Sequence, residues 1–158
     1  MQTFAIRPAL LQDREAILQC LATAFAPYRC QYTAQAFSDT VLDAESFAVR
    51  FRTMTLFVAE LDGEIVGTIG CVATGNEGHI RGMAVVEECQ GSGVARSLLG
   101  IAEEELRRRG CTCVTLDTTR PLQRAIRFYE NHGYAATGRV IDFFGMPLYE
   151  YAKPLHDD

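Results

Sequence analysis

The sequence predicts an α/β domain of the α+β type: a mixed, mostly antiparallel central sheet of about seven strands flanked by about four helices. Three observations lead there. Two β-rich runs, 56–61 and 64–72, meet at Asp62-Gly63, a dipeptide whose backbone suits the type I′ turn of a hairpin. The apolar period changes from two to 3.6 at Val94, and a β-branched run, 111–118, follows, so one β-α-β crossover interrupts an otherwise hairpin-linked order. The length of 158 residues is a prior for one domain over 1–158, large enough to bury roughly 70% of its unfolded surface. No repeat, linker or low-complexity segment divides it.

The elements follow in order. Phe4-Ala5-Ile6-Arg7-Pro8 alternates in polarity and stops at proline, as a short strand does. From Gln12 and Asp13, the apolar positions Ile17, Leu18, Leu21 and Phe25 form one helical stripe that Pro27 ends. Tyr28 to Thr55 reads as helical but broken near Ser38-Asp39 or Asp43. A third strand, His79 to Val86, follows the turn Gly75-Asn76-Glu77-Gly78 and completes a meander with the hairpin. Val94, Ala95, Leu98, Leu99, Ala102 and Leu106 then mark a helix, complemented by Arg107 to Arg109 at its negative end and closed by Gly110. After the strand Cys111–Thr118, a helix starts near Pro121, carries Leu122, Ala125, Ile126 and Tyr129 on one face, and ends at His132-Gly133. Tyr134 to Val140 and Met146 to Ala152 close the sheet.

Composition narrows the function. With 15 Lys+Arg against 20 Asp+Glu the net charge is -5, which argues against a surface built to grip nucleic acid. The N-terminal residues lack a basic segment followed by a long apolar one, and Ile65 to Asn76 is too short and glycine-rich to span a membrane. The expectation is a cytoplasmic protein with reduced thiols and no membrane or nucleic-acid partner. Cys111-x-Cys113 fits neither a CxxC redox motif nor half a zinc site, so these cysteines read as core strand thiols and no metal is expected.

The chemistry-bearing segment is Val85-Val86-Glu87-Glu88-Cys89-Gln90-Gly91-Ser92-Gly93-Val94-Ala95-Arg96. A strand, a glycine loop and a helix start in succession aim unsatisfied N–H groups and the positive helix end at one spot, which makes an anion site. A dinucleotide fingerprint would need Gly or Ala at Arg96, and a P-loop would need a terminal Gly-Lys-Ser/Thr; both fail. Gln90-x-x-Gly93-x-Ala95 instead resembles the Gln/Arg-x-x-Gly-x-Gly/Ala signature of the GNAT superfamily of acetyl-CoA-dependent N-acetyltransferases. The likeness extends from Ile6-Arg7-Pro8 through Leu116-Asp117-Thr118-Thr119 to Ala125-Ile126-Arg127-Phe128-Tyr129-Glu130-Asn131-His132-Gly133-Tyr134.

The resemblance implies that the strand before the loop splays from its neighbour and pairs with the pantetheine arm of acetyl-CoA. Met83, Ala84 and Val85 would line that arm and the acetyl group, while Gln90, Gly91, Ser92, Gly93, Val94, Ala95 and Arg96 would wrap the phosphates. One position departs from the pattern: where many relatives carry an Asn that contacts the cofactor, seven residues before the helix tyrosine, this chain has Leu122.

Direct transfer to a primary amine in a ternary complex needs an acid for the departing thiolate and a base for an amine of pKa about 10.4. Tyr129 occupies the family's acid position. His79 and Asp117 are the candidate bases; a solvated strand end and a turn cap are their structural alternatives. The N–H of Val85 is the candidate oxyanion donor, and Cys89, with no His partner nearby in sequence, is not expected to be a nucleophile. The acceptor, a small-molecule or peptide amine, would sit between Phe25–Phe51 and the loop Ile141–Met146, walled by Tyr28, Tyr32, Phe143 and Phe144, with Asp142 or Glu60 attracting a cation. Arg96, Arg120, Arg124 and Arg127 are the basic residues that could meet the adenosine phosphates. A homodimer is compatible with this reading. The competing function is a non-catalytic acyl-CoA-binding sensor or partner subunit.

Overall fold

The computed structural model describes residues 3–156; Met1 and Gln2, on which part of the leader reading rests, lie outside them. Seven strands, β1 (Ala5–Pro8), β2 (Thr55–Leu61), β3 (Glu64–Thr74), β4 (Glu77–Val85), β5 (Cys113–Thr118), β6 (Ala135–Phe143) and β7 (Met146–Pro154), form one sheet in the order β1-β2-β3-β4-β5-β7-β6. Only β4 and β5 are parallel; every other neighbouring pair is antiparallel. The expected β-α-β crossover therefore accounts for the one parallel pair.

Local chemistry sets the boundaries. Asp62 and Gly63 both take positive φ, 53° and 80°, the type I′ turn expected of Asp-Gly. The next turn is tighter than the sequence indicates: Thr74 pairs with Glu77, so β4 begins two residues before His79. The segment read as broken helix resolves into α2 (Ala34–Val41) and α3 (Ala44–Thr53), after α1 (Arg14–Phe25) and a 3-10 segment at Ala26–Gln31. The break falls at Leu42 (φ 63°) because Asp43 starts α3 as a capping box, accepting from the Ser46 N–H at 2.8 Å while the Ser46 hydroxyl accepts from the Asp43 N–H at 2.9 Å. With α4 (Val94–Arg108) and α5 (Gln123–Asn131) the α-helices among the described residues number five. Leu122 is the N-cap of α5 rather than a residue within it, because Thr119–Leu122 closes as a turn, with the Leu122 N–H on the Thr119 carbonyl at 3.1 Å.

Two apolar clusters cover the two faces. On one, α4 buries Val94, Leu98, Leu99, Ala102 and Leu106 against Ile69, Ile80, Val114 and Leu116, and Tyr129 of α5 joins them. On the other, α1 and α3 bring Ile17, Leu21 and Phe47 onto Leu56, Val58 and Ala84. A buried polar knot fastens α4 to the last hairpin: Glu103 accepts from the Tyr134 hydroxyl at 2.7 Å and from Lys153 Nζ at 3.0 Å.

One irregularity in β4 shapes the functional end of the sheet. Thr68 pairs with Ala84 but Gly70 pairs with Arg81, so β4 carries one extra residue in a bulge at Gly82-Met83. The bulge reverses the alternation of faces. Ile80 and Val85, an odd number of residues apart, both lie under α4, whereas Arg81 reaches Asp39 of α2 at 2.7 Å and Ala84 faces α1. Gly82 makes this possible with φ 68°; a Cβ there would stand 2.5 Å from Arg50 Nη1. Burial lowers the Arg50 pKa to about 10, which leaves it charged at neutral pH. Gly82→Ala should therefore lower stability by about 1–3 kcal/mol through strained φ and displacement of Arg50, read as a lower urea midpoint with an unchanged slope.

Candidate active site

The site begins where the parallel pair ends. β4 and β5 pair only from Glu77↔Cys113 to Ile80↔Leu116. Beyond that point β4 stays with β3 as far as Val85, while β5 stays with β7 as far as Thr118. The two strands thus diverge and leave facing edges without strand partners. The Val86 N–H bonds to the Val66 carbonyl at 2.9 Å, and alternation along the strand turns the Val85 amide and carbonyl the other way, into the gap. Gln90 donates its side-chain amide to the Val85 carbonyl at 3.2 Å, leaving the Val85 N–H.

Gly91 and Gly93 turn the chain into α4 with φ 83° and 93°. The first helical bond of α4 runs from the Ser97 N–H to the Gly93 carbonyl at 3.0 Å. Among the described residues, the N–H groups of Gly91, Gly93, Val94, Ala95 and Arg96 have no acceptor. A Cβ on Gly93 would meet nothing within 4 Å, so open space lies beside the loop, and Arg124 of α5 comes within 4.0 Å of the corresponding point on Gly91. Ser92 differs from its neighbours: its hydroxyl and its N–H both turn back to the Cys89 carbonyl. The helix dipole adds roughly half a positive charge at this end, so the loop turns a set of free backbone donors toward open space.

Tyr129, 8% exposed, donates its hydroxyl to Met83 Sδ at 3.5 Å across the gap. Burial pushes its pKa up, so it is a neutral donor. Cys89 is also buried, and burial raises its thiol, which removes the thiolate a nucleophile would need.

The opposite face holds the two candidate bases side by side. His79 Nε2 lies 3.6 Å from Asp117 Oδ2, and its Nδ1 is 2.9 Å from Thr115 Oγ1. Burial lowers the His79 pKa and raises that of Asp117. Both line a concavity of about 180 Å³ with Arg139, Ile141, Leu148 and Glu150. Asp117 is the first β5 residue past the last β4 pair, which puts this concavity at the mouth of the gap.

The two segments expected to frame an acceptor do meet. Tyr32 bonds to Thr119 Oγ1 at 2.5 Å, at the end of β5, and a Cβ on Gly145 would lie 3.7 Å from Thr33. Phe143 and Phe144 stack at 5.3 Å between centroids, with Phe144 48% exposed. Asp142 accepts from the Gly145 N–H at 3.3 Å and so caps the β6–β7 turn. Glu60 does not belong to this region: on β2, near the β1 edge of the sheet, it pairs with Arg7 at 3.0 Å. Arg120 stacks on Tyr149, 5.4 Å from the ring, and bonds its hydroxyl, while Arg96 and Arg127 stay exposed. Among the described residues no metal-binding cluster of three or more His, Cys, Asp or Glu occurs, and no helix is long and apolar enough to cross a membrane.

Sequence reasoning missed the bulge and the Tyr32–Thr119 contact. The isolated glycine in Ile80-Arg81-Gly82-Met83 signals a bulge, but a bond between residues 87 positions apart leaves no local trace. Tyr32→Phe should strand the Thr119 hydroxyl, 2% exposed, and cost about 1 kcal/mol, seen as a fall in Tm of about 2–4 °C.

Comparison with known proteins agrees with the geometry. The acetyltransferase (GNAT) family profile matches residues 17–134. An acetyltransferase of Agrobacterium fabrum is 34% identical over 90 residues, covering 56% of this chain and 64% of that protein; the chain thus spans less than two thirds of this curated relative's length. An acetyltransferase of the GNAT family from Staphylococcus aureus superposes with a TM-score of 0.79 at 16% identity, over 98% of this chain and 100% of that one. The PaiA N-acetyltransferase of Thermoplasma acidophilum, solved in complex with coenzyme A, gives a TM-score of 0.79 at 18% identity, over 96% and 99%.

Proposed function

The chain belongs to the acetyltransferase (GNAT) family, and from that premise we propose that it is an N-acetyltransferase moving an acetyl group from acetyl-CoA directly to a primary amine. One observation carries the reading: the uncommitted amides of Gly91 and Gly93–Arg96 and the buried Tyr129 hydroxyl border one gap between two parted strands. That arrangement fits a ligand with a polyanionic end and a long polar arm. The solved relative bound to coenzyme A supports the same choice.

Acetyl-CoA supplies the acetyl thioester and its thiolate leaving group. The loop amides, with Arg124 beside Gly91, bind the phosphates; Met83, Ala84 and Val85 flank the arm, and the inward-turned Ser92 holds the loop's shape. The Val85 N–H, aimed into the gap, faces the carbonyl oxygen on which negative charge develops. Tyr129, kept protonated by burial, delivers a proton to the departing sulfur from the α4–α5 side. The amine enters from the opposite face, where Asp117 and His79 take its proton directly or through water. Acid and base thus act from opposite sides of the sheet, and neither needs to exchange protons with the other. The net charge of -5 and the carboxylates of Asp117 and Glu150 favour a cationic acceptor over an anionic one.

The direct test is thiol release from acetyl-CoA against a panel of primary amines. Absence of turnover with every amine, together with tight coenzyme A binding, would instead establish a non-catalytic acyl-CoA-binding protein. Tyr129→Phe should lower kcat by roughly 10²–10⁴ while leaving the coenzyme A Kd nearly unchanged. Burial holds the His79 pKa below its ordinary 6.5, which leaves the imidazole neutral above that pH, and burial raises the pKa of Asp117. With His79 as the base, kcat at saturating amine should therefore fall only below pH 6.5, and Asp117→Asn or His79→Ala should displace the acid limb; an unmoved limb in both variants assigns the proton to water alone.

A further inference from the structure

Thr118 Oγ1 is buried and, among the described residues, has no hydrogen-bond partner; the whole residue is 4% exposed. A hydroxyl in that state has given up its water contacts without replacement, at a cost that valine, of nearly the same shape, would avoid. The other buried atom of this kind among the described residues, Arg107 Nε, lies in the last turn of α4, at the far end of that helix from the Gly91–Gly93 loop.

The position of Thr118 in the fold indicates what its hydroxyl is for. It ends β5, two residues past Leu116, where pairing with β4 stops. Alternation along β5 places it on the side of Val114 and Leu116, the side that also carries Met83, Val85 and Tyr129. Continuing the register of the parallel pair sets Thr118 across from Gly82, so it flanks the gap where the strands have parted. The two polar residues that follow it are already committed, Thr119 to Tyr32 and Arg120 to Tyr149, and the Tyr129 hydroxyl on the same face is committed to Met83. Leu122, which follows at the start of α5, has no polar side-chain atom to offer.

We infer that the Thr118 hydroxyl is a binding group for the pantetheine arm, hydrogen-bonding an amide of that arm as it passes between β4 and β5. The inference rests on the acetyl-CoA reading above and assigns a cofactor contact on the β5 edge of the gap, opposite the β4 backbone. The arm's amides are the polar groups that would enter the gap, and the hydroxyl can either donate to an amide carbonyl or accept from an amide N–H. The contact made on binding thus satisfies a group that the free protein leaves unpaired.

The test uses the full chain as wild type, Thr118→Val and Thr118→Ser, with coenzyme A itself as the probe in titration calorimetry, and thermal unfolding with and without it. Thr118→Val should melt about 2–4 °C higher than wild type in the absence of coenzyme A, yet bind it about three- to tenfold more weakly. Thr118→Ser, which keeps the hydroxyl, should bind within about twofold of wild type. Two results would overturn the inference: unchanged coenzyme A affinity in Thr118→Val, or a lower melting temperature of that variant without ligand, which would show the hydroxyl already satisfied by a buried water. Failure of the wild-type chain to bind coenzyme A is a different result, and it would bring down the acetyl-CoA reading itself.

Discussion

Everything at the candidate site depends on two parallel strands that pair for four residues and then part. Each strand has a second neighbour that it does not leave: β4 stays with β3 and β5 with β7. The bulge at Gly82 adds one residue to β4 beside β3, and a bulge bends its strand and increases the local twist. β4 therefore follows β3 away from β5. Parting exposes backbone donors and acceptors that a continuous sheet would have consumed, which is costly in a sealed interior and useful at an opening that admits a ligand. The extended arm of a cofactor can then supply the partners that the missing strand pairs would have provided.

The rest of the molecule keeps that opening from closing or fraying. α4 lies chiefly over β3, with β2 and β4 to either side, and buries its apolar stripe there. Its Glu103 is tied to Tyr134 and Lys153, so the β5–β7–β6 part of the sheet is fastened to the same helix whose N-terminus carries the free amides. A buried charge pair is worth having only when its geometry is complete. Here both carboxylate oxygens bond Lys153, at 3.0 and 3.1 Å, and one also accepts from a tyrosine. On the other face, Tyr32 holds the segment after α1 to the end of β5 through Thr119, so that segment is referenced to the same strand end.

Two chemical environments result, one on each face. The α4–α5 side has Tyr129 held neutral by burial and a cradle of amides, suited to an anion and to proton donation. The other side has His79 and Asp117 within 3.6 Å of each other, with the histidine less basic and the carboxylate more basic than usual. The reversal of side-chain alternation at Gly82 allows one strand to serve both: His79 and Arg81 face the α2 side before the bulge, and Met83 and Val85 face α4 after it.

Much of this was legible in the chain itself. Asp62-Gly63 specified its hairpin because few dipeptides accept two positive φ angles. The stripe from Val94 to Leu106 specified α4 because its period matches only a helix. The succession of strand, Gly91-Ser92-Gly93 loop and helix specified a cluster of free amides, since the first amides of any helix lack internal partners. These are local properties, fixed within a few residues. In the segment 28–55 the break lies at Leu42-Asp43, the second of the two places the sequence allows, and Leu122 lies outside α5 because a turn at Thr119–Leu122 precedes it. What tertiary structure alone decided is non-local: that β4 and β5 part after Ile80 and Leu116, that Asp117 joins His79, that Tyr32 reaches Thr119, that Glu60 serves Arg7 instead of an acceptor, and that Thr118 is buried without a partner. Each depends on which strands are neighbours and where their pairing ends, and no run of adjacent residues encodes that.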